Sequence, residues 1–280
     1  MRTSVLADHP VEELLERKAG ATISVCLPAR DEAATVGLVV ARIVAELVER
    51  HPLVDEVLVV DDRSTDTTAA VARAAGATVV AAAEVLPECG PAAGKGEAMW
   101  KSLAASHGDL VVWCDADLRD FDPRFVSGLV GPLLADAEIA FVKGCYRRDL
   151  DGRPGEGGRV TELVARPLVR LLFPDLARFA QPLAGECAGR RTVLERLPFA
   201  PGYGVDLALL IDVAASVGID AIAQVDLGWR SHRNRPLREL SAQAEAVLAA
   251  GLHRAASPGP PTPSGWRPPL AEVAAYRERR

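Results

Sequence analysis

The sequence lacks the long apolar runs and the excess of positive charge that would tie it to a membrane or to nucleic acid. No window reaches the roughly 18 consecutive apolar residues that a membrane-spanning helix needs, and residues 1–10 hold no apolar stretch like that of a secretion signal. The chain has 32 Lys and Arg against 38 Asp and Glu, a net charge of −6. Such a chain has no net attraction for a phosphate polymer or an anionic bilayer. We expect a cytoplasmic protein that partners neither membranes nor nucleic acids.

Cysteines and aromatic residues are also scarce. Aromatic residues make up 5% of the 280 residues, which leaves the core to Ala, Val and Leu. The five cysteines are odd in number and scattered, and Cys26 and Cys114 lie inside apolar runs. We interpret them as reduced core residues; a disulfide or a zinc site is the alternative.

Apolar runs rich in β-branched residues alternate with helical stretches, which predicts an α/β fold with a mostly parallel, doubly wound sheet. The predicted strands are Ile23 to Pro28, Glu56 to Val60, Thr78 to Ala82, Leu110 to Cys114, Glu138 to Tyr146 and Ala221 to Val225. The predicted helices are Ala33 to Arg50, Thr67 to Ala75, Gly96 to Ser106, Val160 to Phe173 and Pro236 to His253, with Asp31 and Ser64 as candidate caps of the first two.

The organisation changes along the chain. We expect an N-terminal helical segment over 1–21, a nucleotide-sugar-binding half over 22–117, an acceptor-binding half over 118–235, a C-terminal helix over 236–256 and a Pro-rich tail or strap over 257–280. Its first part, Ser257 to Pro269, is too rich in proline for a helix or a central strand.

Two carboxylates follow the apolar strand Leu110 to Cys114. Period-two alternation points Asp115 and Asp117 the same way at the carboxyl edge of the sheet, where open α/β sheets bind ligands. Hard oxygen donors there suit Mg²⁺ or Mn²⁺ together with ligand phosphates. The alternative is a pair of solvated loop acids.

A histidine lies among arginines just beyond the last predicted strand. Neighbouring cations disfavour protonation of His232, and a neutral imidazole is a good metal ligand. The alternative is a surface loop in which Asn234 caps the following helix.

Two glycine-rich segments are candidate anion sites, because glycines let the backbone of a helix N-terminus approach a phosphate. The first places Lys95 between Gly94 and Gly96. The second runs from 152 to 158 and continues into Arg159 and Thr161, which add a guanidinium fork and a hydroxyl. A flexible loop that ends in a helix cap is the alternative for the first segment, and a flexible hairpin loop is the alternative for the second.

Acidic segments also follow the first two predicted strands: Pro28 to Glu32, and Asp61 to Asp66. Their carboxylates are well placed to accept hydrogen bonds from ribose hydroxyls and a base N–H. Helix capping alone would also explain Asp31, Ser64 and Asp66.

Taken in order, these segments resemble a GT-A fold glycosyltransferase, in which Pro-Ala-x-(Asn/Asp)-Glu, Asp-x-x-Ser-Thr-Asp and Asp-x-Asp follow successive strands. The segments around Lys95, Arg159, Tyr203 and His232 are similar to those of actinobacterial glucosyl-3-phosphoglycerate synthases. The resemblance spans roughly residues 22–240. It implies transfer of glucose from UDP-glucose to the 2-hydroxyl of 3-phosphoglycerate with retention, with Mg²⁺ or Mn²⁺, by an enzyme that tends to form homodimers.

The resemblance also assigns roles to residues. The donor would be held by Pro28, Ala29, Arg30, Asp31, Glu32, Asp62, Lys95, Asp115, Ala116, Tyr203, Asp206, Arg230 and Arg235. The metal would be bound by Asp117 and His232. The acceptor would be held by Gly158, Arg159, Val160, Thr161 and Asn234. The catalytic candidates are Lys95, Asp206 and Asn234.

Two positions depart from the family pattern. Asp206 stands where the family usually has Glu, and Asp62 stands where a serine or glycine is common. The shorter side chain at 206 leaves the donor sugar open, so transfer of mannose from GDP-mannose is the first alternative. A sugar-1-phosphate nucleotidyltransferase would carry a glycine-rich loop in place of Pro28-Ala29-Arg30. An inactive sugar-nucleotide-binding module is the third alternative.

Overall fold

The computed structural model describes residues 2–148, 158–230, 237–256 and 262–279. One eight-stranded sheet runs through these residues in the order β1-β8-β6-β7-β5-β2-β3-β4. The strands are β1 Arg2–Val5, β2 Ile23–Ala29, β3 Glu56–Asp61, β4 Thr78–Ala81, β5 Leu110–Trp113, β6 Phe141–Arg148, β7 Cys187–Arg190 and β8 Ile222–Arg230. Because the neighbours of β7 are both antiparallel to it and the other pairs are parallel, β7 alone is reversed among the described strands. The predicted α/β class and mostly parallel sheet are confirmed.

Helices cover both faces of the sheet. They are α1 Val11–Lys18, α2 Val36–Ile43, α3 Thr68–Ala74, α4 Lys95–Ala105, α5 Arg124–Ala135, α6 Arg166–Leu172, α7 Arg191–Leu194, α8 Val205–Val217, α9 Leu237–Ala256 and α10 Ala274–Arg277. π-helical turns extend α2 to Arg50 and precede α6 from Thr161 to Ala165.

Two hydrophobic cores lie on opposite faces, because successive residues of a strand point to opposite sides. In β5, Val112 joins the core with α1, α2, α3 and α5, whereas Val111 and Trp113 join the core with α4, α6 and α8. The second core also contains Leu270 and Tyr276. The C-terminal segment therefore packs on this core as a strap.

The sequence did not predict β1, β7, α5 or α8. Strand β1 is polar and largely exposed, and it adds to the sheet edge beside β8, so the expected helical segment 1–21 also contains a strand. Strand β7 reads Cys-Ala-Gly-Arg, with no β-branched residue to signal a strand. Helix α8 is buried nearly all round over its first nine residues and therefore shows little periodicity.

The predicted cap at Asp31 is wrong. Helix α2 begins at Val36, behind Thr35. Asp31 has a positive φ of 55°, and its carboxylate accepts hydrogen bonds from the backbone N–H, 2.7 Å away, and the hydroxyl of Thr65. Ser64 does not cap α3 either, since the helix begins at Thr68 behind Thr67, with no side-chain cap.

Four of the five cysteines are buried and Cys89 is partly buried, and all five are free thiols. The interpretation as reduced core residues is confirmed, apart from the partial exposure of Cys89. Burial raises the pKa of the Cys26 and Cys187 thiols to about 12, which makes them poor nucleophiles and poor metal ligands. In the described ranges, no helix is long and apolar enough to cross a membrane.

Candidate active site

A cleft of about 450 Å³ opens at the carboxyl ends of β2, β3 and β5. Parallel strands bring the loops that follow them to this one edge. Residues from both predicted halves meet there, including Pro28, Ala29, Arg30, Asp31, Glu32, Asp62, Lys95, Asp115, Ala116, Asp117, Gly158, Arg159, Val160, Thr161, Tyr203 and Asp206. The predicted donor and acceptor groups therefore line one continuous cavity.

Three predicted residues, His232, Asn234 and Arg235, lie outside the described part of the chain. Strand β8 ends at Arg230, just before them. Their predicted roles stay predictions.

The wall beyond β2 and β3 is built from two cross-bonded loops. The backbone N–H of Asp31 bonds to the hydroxyl of Ser64 at 3.0 Å, and the N–H of Ala33 donates to Asp66 Oδ2 at 3.1 Å. The other oxygen of Asp66 accepts the backbone N–H of Thr68 at 2.9 Å. These bonds tie the loop after β2 to the loop after β3 and to the first residue of α3.

A second loop is tied to this wall through Asp62. Its Oδ2 accepts the backbone N–H of Gly94 at 2.7 Å, and its Oδ1 lies 3.2 Å from Arg63 Nε. Gly94 has a φ of 94°, which favours glycine, and it turns the chain directly into α4. Asp62 therefore holds the start of the helix whose first residue is Lys95.

Lys95 bridges two carboxylates at the centre of the cleft. Its Nζ lies 3.0 Å from Asp115 Oδ1 and 3.1 Å from both oxygens of Asp206. Burial opposes the charge on Lys95, but these two carboxylates outweigh it and hold the pKa of the ammonium well above its usual value.

The two carboxylates differ in their surroundings. Burial raises the pKa of Asp206, and attraction to Lys95 and Lys143 offsets that rise only in part. Burial also opposes the charge on Asp115, but Lys95 and Arg230 outweigh it, so the pKa of Asp115 lies below its usual value. The cleft thus holds a firmly ionised carboxylate beside one that takes up a proton more readily.

Arg230 lies beneath the aspartates rather than in the cleft lining. Its guanidinium, 2% exposed, donates to Glu186 Oε1 at 2.7 Å and to the Tyr146 hydroxyl at 2.8 Å. Its other terminal nitrogen lies 3.3 Å from Asp115 Oδ2 and 3.5 Å from Asp117 Oδ1. A buried cation that faces both carboxylates fixes their orientation.

Sequence reasoning missed several residues of this site. Glu186 is fully buried directly before β7, a strand that the sequence did not predict. The glycine at position 185 was the sequence feature that could have indicated a close approach to the site. A Cβ there would lie 2.4 Å from both carboxylate oxygens of Asp115. Leu240 and Gln243 bring α9 to the cleft, although the sequence predicted only the helix.

The carboxylate oxygens that line the cleft are suitable ligands for a hard divalent cation. Asp115 and Asp117 both line the cleft, with side chains that are 25% and 28% exposed; Lys95 contacts Asp115, and Arg230 faces both carboxylates. Carboxylate oxygens are the ligands that Mg²⁺ and Mn²⁺ prefer. Within the described ranges no three His, Cys, Asp or Glu side chains cluster as a complete metal site. Asp117 can contribute one ligand, and its predicted partner His232 lies beyond the described residues.

A helix start forms another part of the cleft lining. Gly158 has a φ of 78°, and its carbonyl oxygen accepts the N–H of Glu162 at 3.0 Å. Arg159, Val160 and Thr161 follow along the lining, and Thr161 is buried. First-turn N–H groups of a helix have no partner within the helix, so this end can bind an anion.

Known proteins are similar to this chain in sequence and in fold. The sequence model described as glycosyl transferase family 2 matches residues 24–197. Glucosyl-3-phosphoglycerate synthase of Mycolicibacterium paratuberculosis is 52% identical over 256 residues, which cover 89% of this chain and 77% of that protein. The Petrotoga mobilis protein of the same name is 47% identical over 244 residues, which cover 86% and 75%.

Solved structures match the fold of this protein over nearly the whole chain. Glucosyl-3-phosphoglycerate synthase from Mycobacterium tuberculosis, in complex with Mn²⁺, UDP-glucose and phosphoglyceric acid, matches with a TM-score of 0.87 at 46% identity, covering 97% of this chain and 98% of that one. Mannosyl-3-phosphoglycerate synthase from Rubrobacter xylanophilus matches with a TM-score of 0.89 at 42% identity, covering 97% of each. These matches confirm the predicted GT-A glycosyltransferase fold and exclude the nucleotidyltransferase alternative. The chain belongs to glycosyl transferase family 2 and, within it, to the glucosyl-3-phosphoglycerate synthases.

Proposed function

We propose that this enzyme transfers glucose from UDP-glucose to the 2-hydroxyl of 3-phosphoglycerate with retention at the anomeric carbon. One observation carries the proposal: a single cleft is lined both by a carboxylate and lysine cluster and by a glycine-led helix start with Arg159 and Thr161. The M. tuberculosis relative holds a sugar nucleotide, Mn²⁺ and phosphoglyceric acid together, which are ligands that these two groups of residues suit.

The cross-bonded loops beyond β2 and β3 receive the uridine. Asp31 and Glu32 line this wall, and carboxylates there accept hydrogen bonds from ribose hydroxyls and a base N–H. Asp62 supports the wall and, through Gly94, the start of α4. The diphosphate then lies toward Asp117 and Lys95.

Asp117 and His232 hold the divalent cation. When bound, the cation supplies positive charge against the negative charge that develops on the departing diphosphate, a contribution of several kcal/mol. Lys95 brings a second positive charge to the same region, held in place by Asp115 and Asp206. Preorganised charges of this kind stabilise a transition state because they need no rearrangement during the reaction.

The helix start at Gly158 receives the acceptor phosphate. Backbone N–H groups, the Arg159 guanidinium and the Thr161 hydroxyl form a binding set for a doubly charged oxyanion. Asn234 completes the acceptor site and keeps its predicted catalytic role in this proposal.

No residue of the described cleft is an obvious base for the acceptor hydroxyl. Asp206 is paired with Lys95 and buried, which suits a role in orienting the sugar and stabilising an oxocarbenium-like transition state. The departing phosphate itself can take the acceptor proton on the same face of the sugar. That path accounts for retention without a protein base.

Transfer of mannose from GDP-mannose is the second candidate. The R. xylanophilus mannosyl-3-phosphoglycerate synthase has nearly the same fold. Asp206 replaces the Glu of the glucosyl family pattern, at a position that faces the proposed sugar site.

The five free thiols support a reducing cytoplasm as the location. The homodimer implied by the resemblance stays a prediction.

The test combines purified enzyme, Mn²⁺, UDP-glucose and 3-phosphoglycerate, with UDP release and product formation measured together. We expect equal amounts of UDP and a phosphorylated glycoside, with an anomeric proton coupling that reports retention. Omission of 3-phosphoglycerate should reduce UDP release to the hydrolysis background. UDP release that does not depend on 3-phosphoglycerate would contradict the proposal.

A further inference from the structure

The C-terminal strap, residues 262–279, packs on the helix that carries Lys95. The indole Nε1 of Trp100 on α4 donates to the carbonyl of Pro268 at 2.8 Å. Leu270 and Tyr276 are buried in the core beside α4. The strap lies far from the cleft in sequence, and neither the sequence pattern nor the resemblance gave it a role.

Arg267 is the strap residue that reaches the loop before Lys95. Its guanidinium lies 2.5 Å and 2.8 Å from the two oxygens of Glu97, in the first turn of α4. It also donates to the carbonyls of Cys89 and Gly90, at 2.7 Å for Gly90. Glu97 is buried and the Arg267 side chain is 13% exposed, so this bidentate pair is shielded from water. One side chain thus holds the loop 89–94 and the helix that follows it.

The backbone of Arg267 holds a second loop. Its N–H and carbonyl exchange two hydrogen bonds of 2.9 Å with Phe199, as in a short antiparallel bridge. Phe199 begins the loop that carries Tyr203 and leads into α8, whose second residue is Asp206. Side chain and backbone of a single residue therefore fix the two loops that form one wall of the cleft.

These two loops pack against each other with no spare room. A Cβ on Gly96 would lie 1.9 Å from the carbonyl oxygen of Ala200, and one on Gly94 would lie 3.2 Å from the Cα of Gly202. A shift of either loop must therefore move the other, because close-packed backbone does not yield. The Nζ of Lys95, between carboxylates 3.0 and 3.1 Å away, would move with them.

We propose that Arg267 is a positioning residue that sets Lys95 and the Tyr203 loop in their places for the transfer reaction. It acts through the loops and touches no substrate. The kinetic part of this inference rests on the proposed function, whereas the structural part does not. A misplacement of about 1 Å can cost on the order of a hundredfold in rate.

The test compares Arg267→Met with Arg279→Met in the full chain. Arg279 lies on the same strap, but its side chain is 58% exposed and 3.7 Å from the exposed Glu88, so it is a matched control. Thermal unfolding first gives the melting temperature of each variant. Well below that temperature, kcat, KM for both substrates and hydrogen exchange of peptides covering 87–98 and 198–206 are then measured. Arg267→Lys is included as a milder change, because an ammonium cannot reproduce the planar fork.

We expect Arg267→Met to lower kcat at least tenfold and to speed exchange in both peptides, with KM for 3-phosphoglycerate changed less than kcat. Arg267→Lys should show smaller effects of the same direction, and it decides the question if the Met variant does not fold. The control should match the wild type. Glu97→Gln should add less than its full single effect to Arg267→Met, because the two changes share the Arg267–Glu97 contact, although Glu97 also lies 3.7 Å from Lys101.

A fall in melting temperature with unchanged kcat would overturn the proposal and leave Arg267 a stability residue only. Faster exchange without a loss of kcat would also overturn it. If the wild-type enzyme transfers no glucose, the proposed function fails, while the exchange data still decide whether Arg267 holds the two loops.

Discussion

Replacing Lys95 by methionine removes a cation that contacts both Asp115 and Asp206. Methionine keeps most of the side-chain volume, so the change mainly removes charge. Arg230 still faces Asp115, so the deficit falls mainly on Asp206, which is buried, has Lys95 at 3.1 Å and keeps the weaker attraction of Lys143. Breaking a buried pair by removing one partner costs about 3 to 5 kcal/mol. Because the Lys95 side chain is 13% exposed, we expect the lower end, about 3 kcal/mol at pH 8.

This loss should depend on pH. Burial already raises the pKa of Asp206, and loss of the ammonium raises it further. The folded variant then binds a proton more tightly than the unfolded chain, so its stability falls as pH rises through the raised pKa. The stability difference from wild type should therefore be largest at pH 8 and shrink toward pH 5.

Urea unfolding followed by circular dichroism at both pH values measures the difference, with Lys18→Met as the matched control. Lys18 is 15% exposed and pairs at 2.8 Å with Asp55, which is 41% exposed and far from the cleft. The control should lose at most about 1 kcal/mol and keep its activity. Lys95→Met should lower kcat by about a hundredfold or more. A Lys95→Met protein with full kcat, or with a stability loss that grows toward pH 5, would refute the reasoning.

The other predictions concern single residues of the cleft. Asp117→Ala should weaken Mn²⁺ binding measured by calorimetry with UDP present and remove nearly all turnover; full activity in EDTA would contradict this. Arg159→Ala should lower kcat/KM for 3-phosphoglycerate roughly ten- to a hundredfold, and a loss confined to UDP-glucose binding would place Arg159 at the other end of the cleft. Asp206→Glu should lower kcat, because both oxygens already contact Lys95 and the longer side chain must crowd a buried site; a gain in kcat would show that the shorter side chain is not accommodated.

The sequence predicted the parts of the fold that have strong local signals. β-branched apolar runs marked six of the eight described strands, with ends shifted by up to about five residues. Asp115 and Asp117 could be placed at the carboxyl edge because a buried strand directly precedes them. Strands β1 and β7 were not predicted because β1 is a polar edge strand, whereas β7 holds a glycine and no β-branched residue.

Contacts between distant segments could not be predicted. Nothing near Arg267 in the sequence indicates that it forms a salt bridge with Glu97, 170 positions away. Likewise, nothing near Glu186 indicates that it pairs with Arg230. The placement of Arg230 behind the aspartates likewise depends on how β8 and β5 are brought together by the sheet order. Such contacts follow from packing and topology rather than from local pattern.

The central claim is the choice of UDP-glucose as donor for 3-phosphoglycerate, and a competition assay tests it most directly. UDP-glucose and GDP-mannose are supplied at equal concentration with 3-phosphoglycerate and Mn²⁺, and the two glycosides are separated and quantified at low conversion. The account predicts that glucosyl-3-phosphoglycerate forms in large excess, in step with released UDP. Predominant mannosyl-3-phosphoglycerate, in step with released GDP, would contradict it.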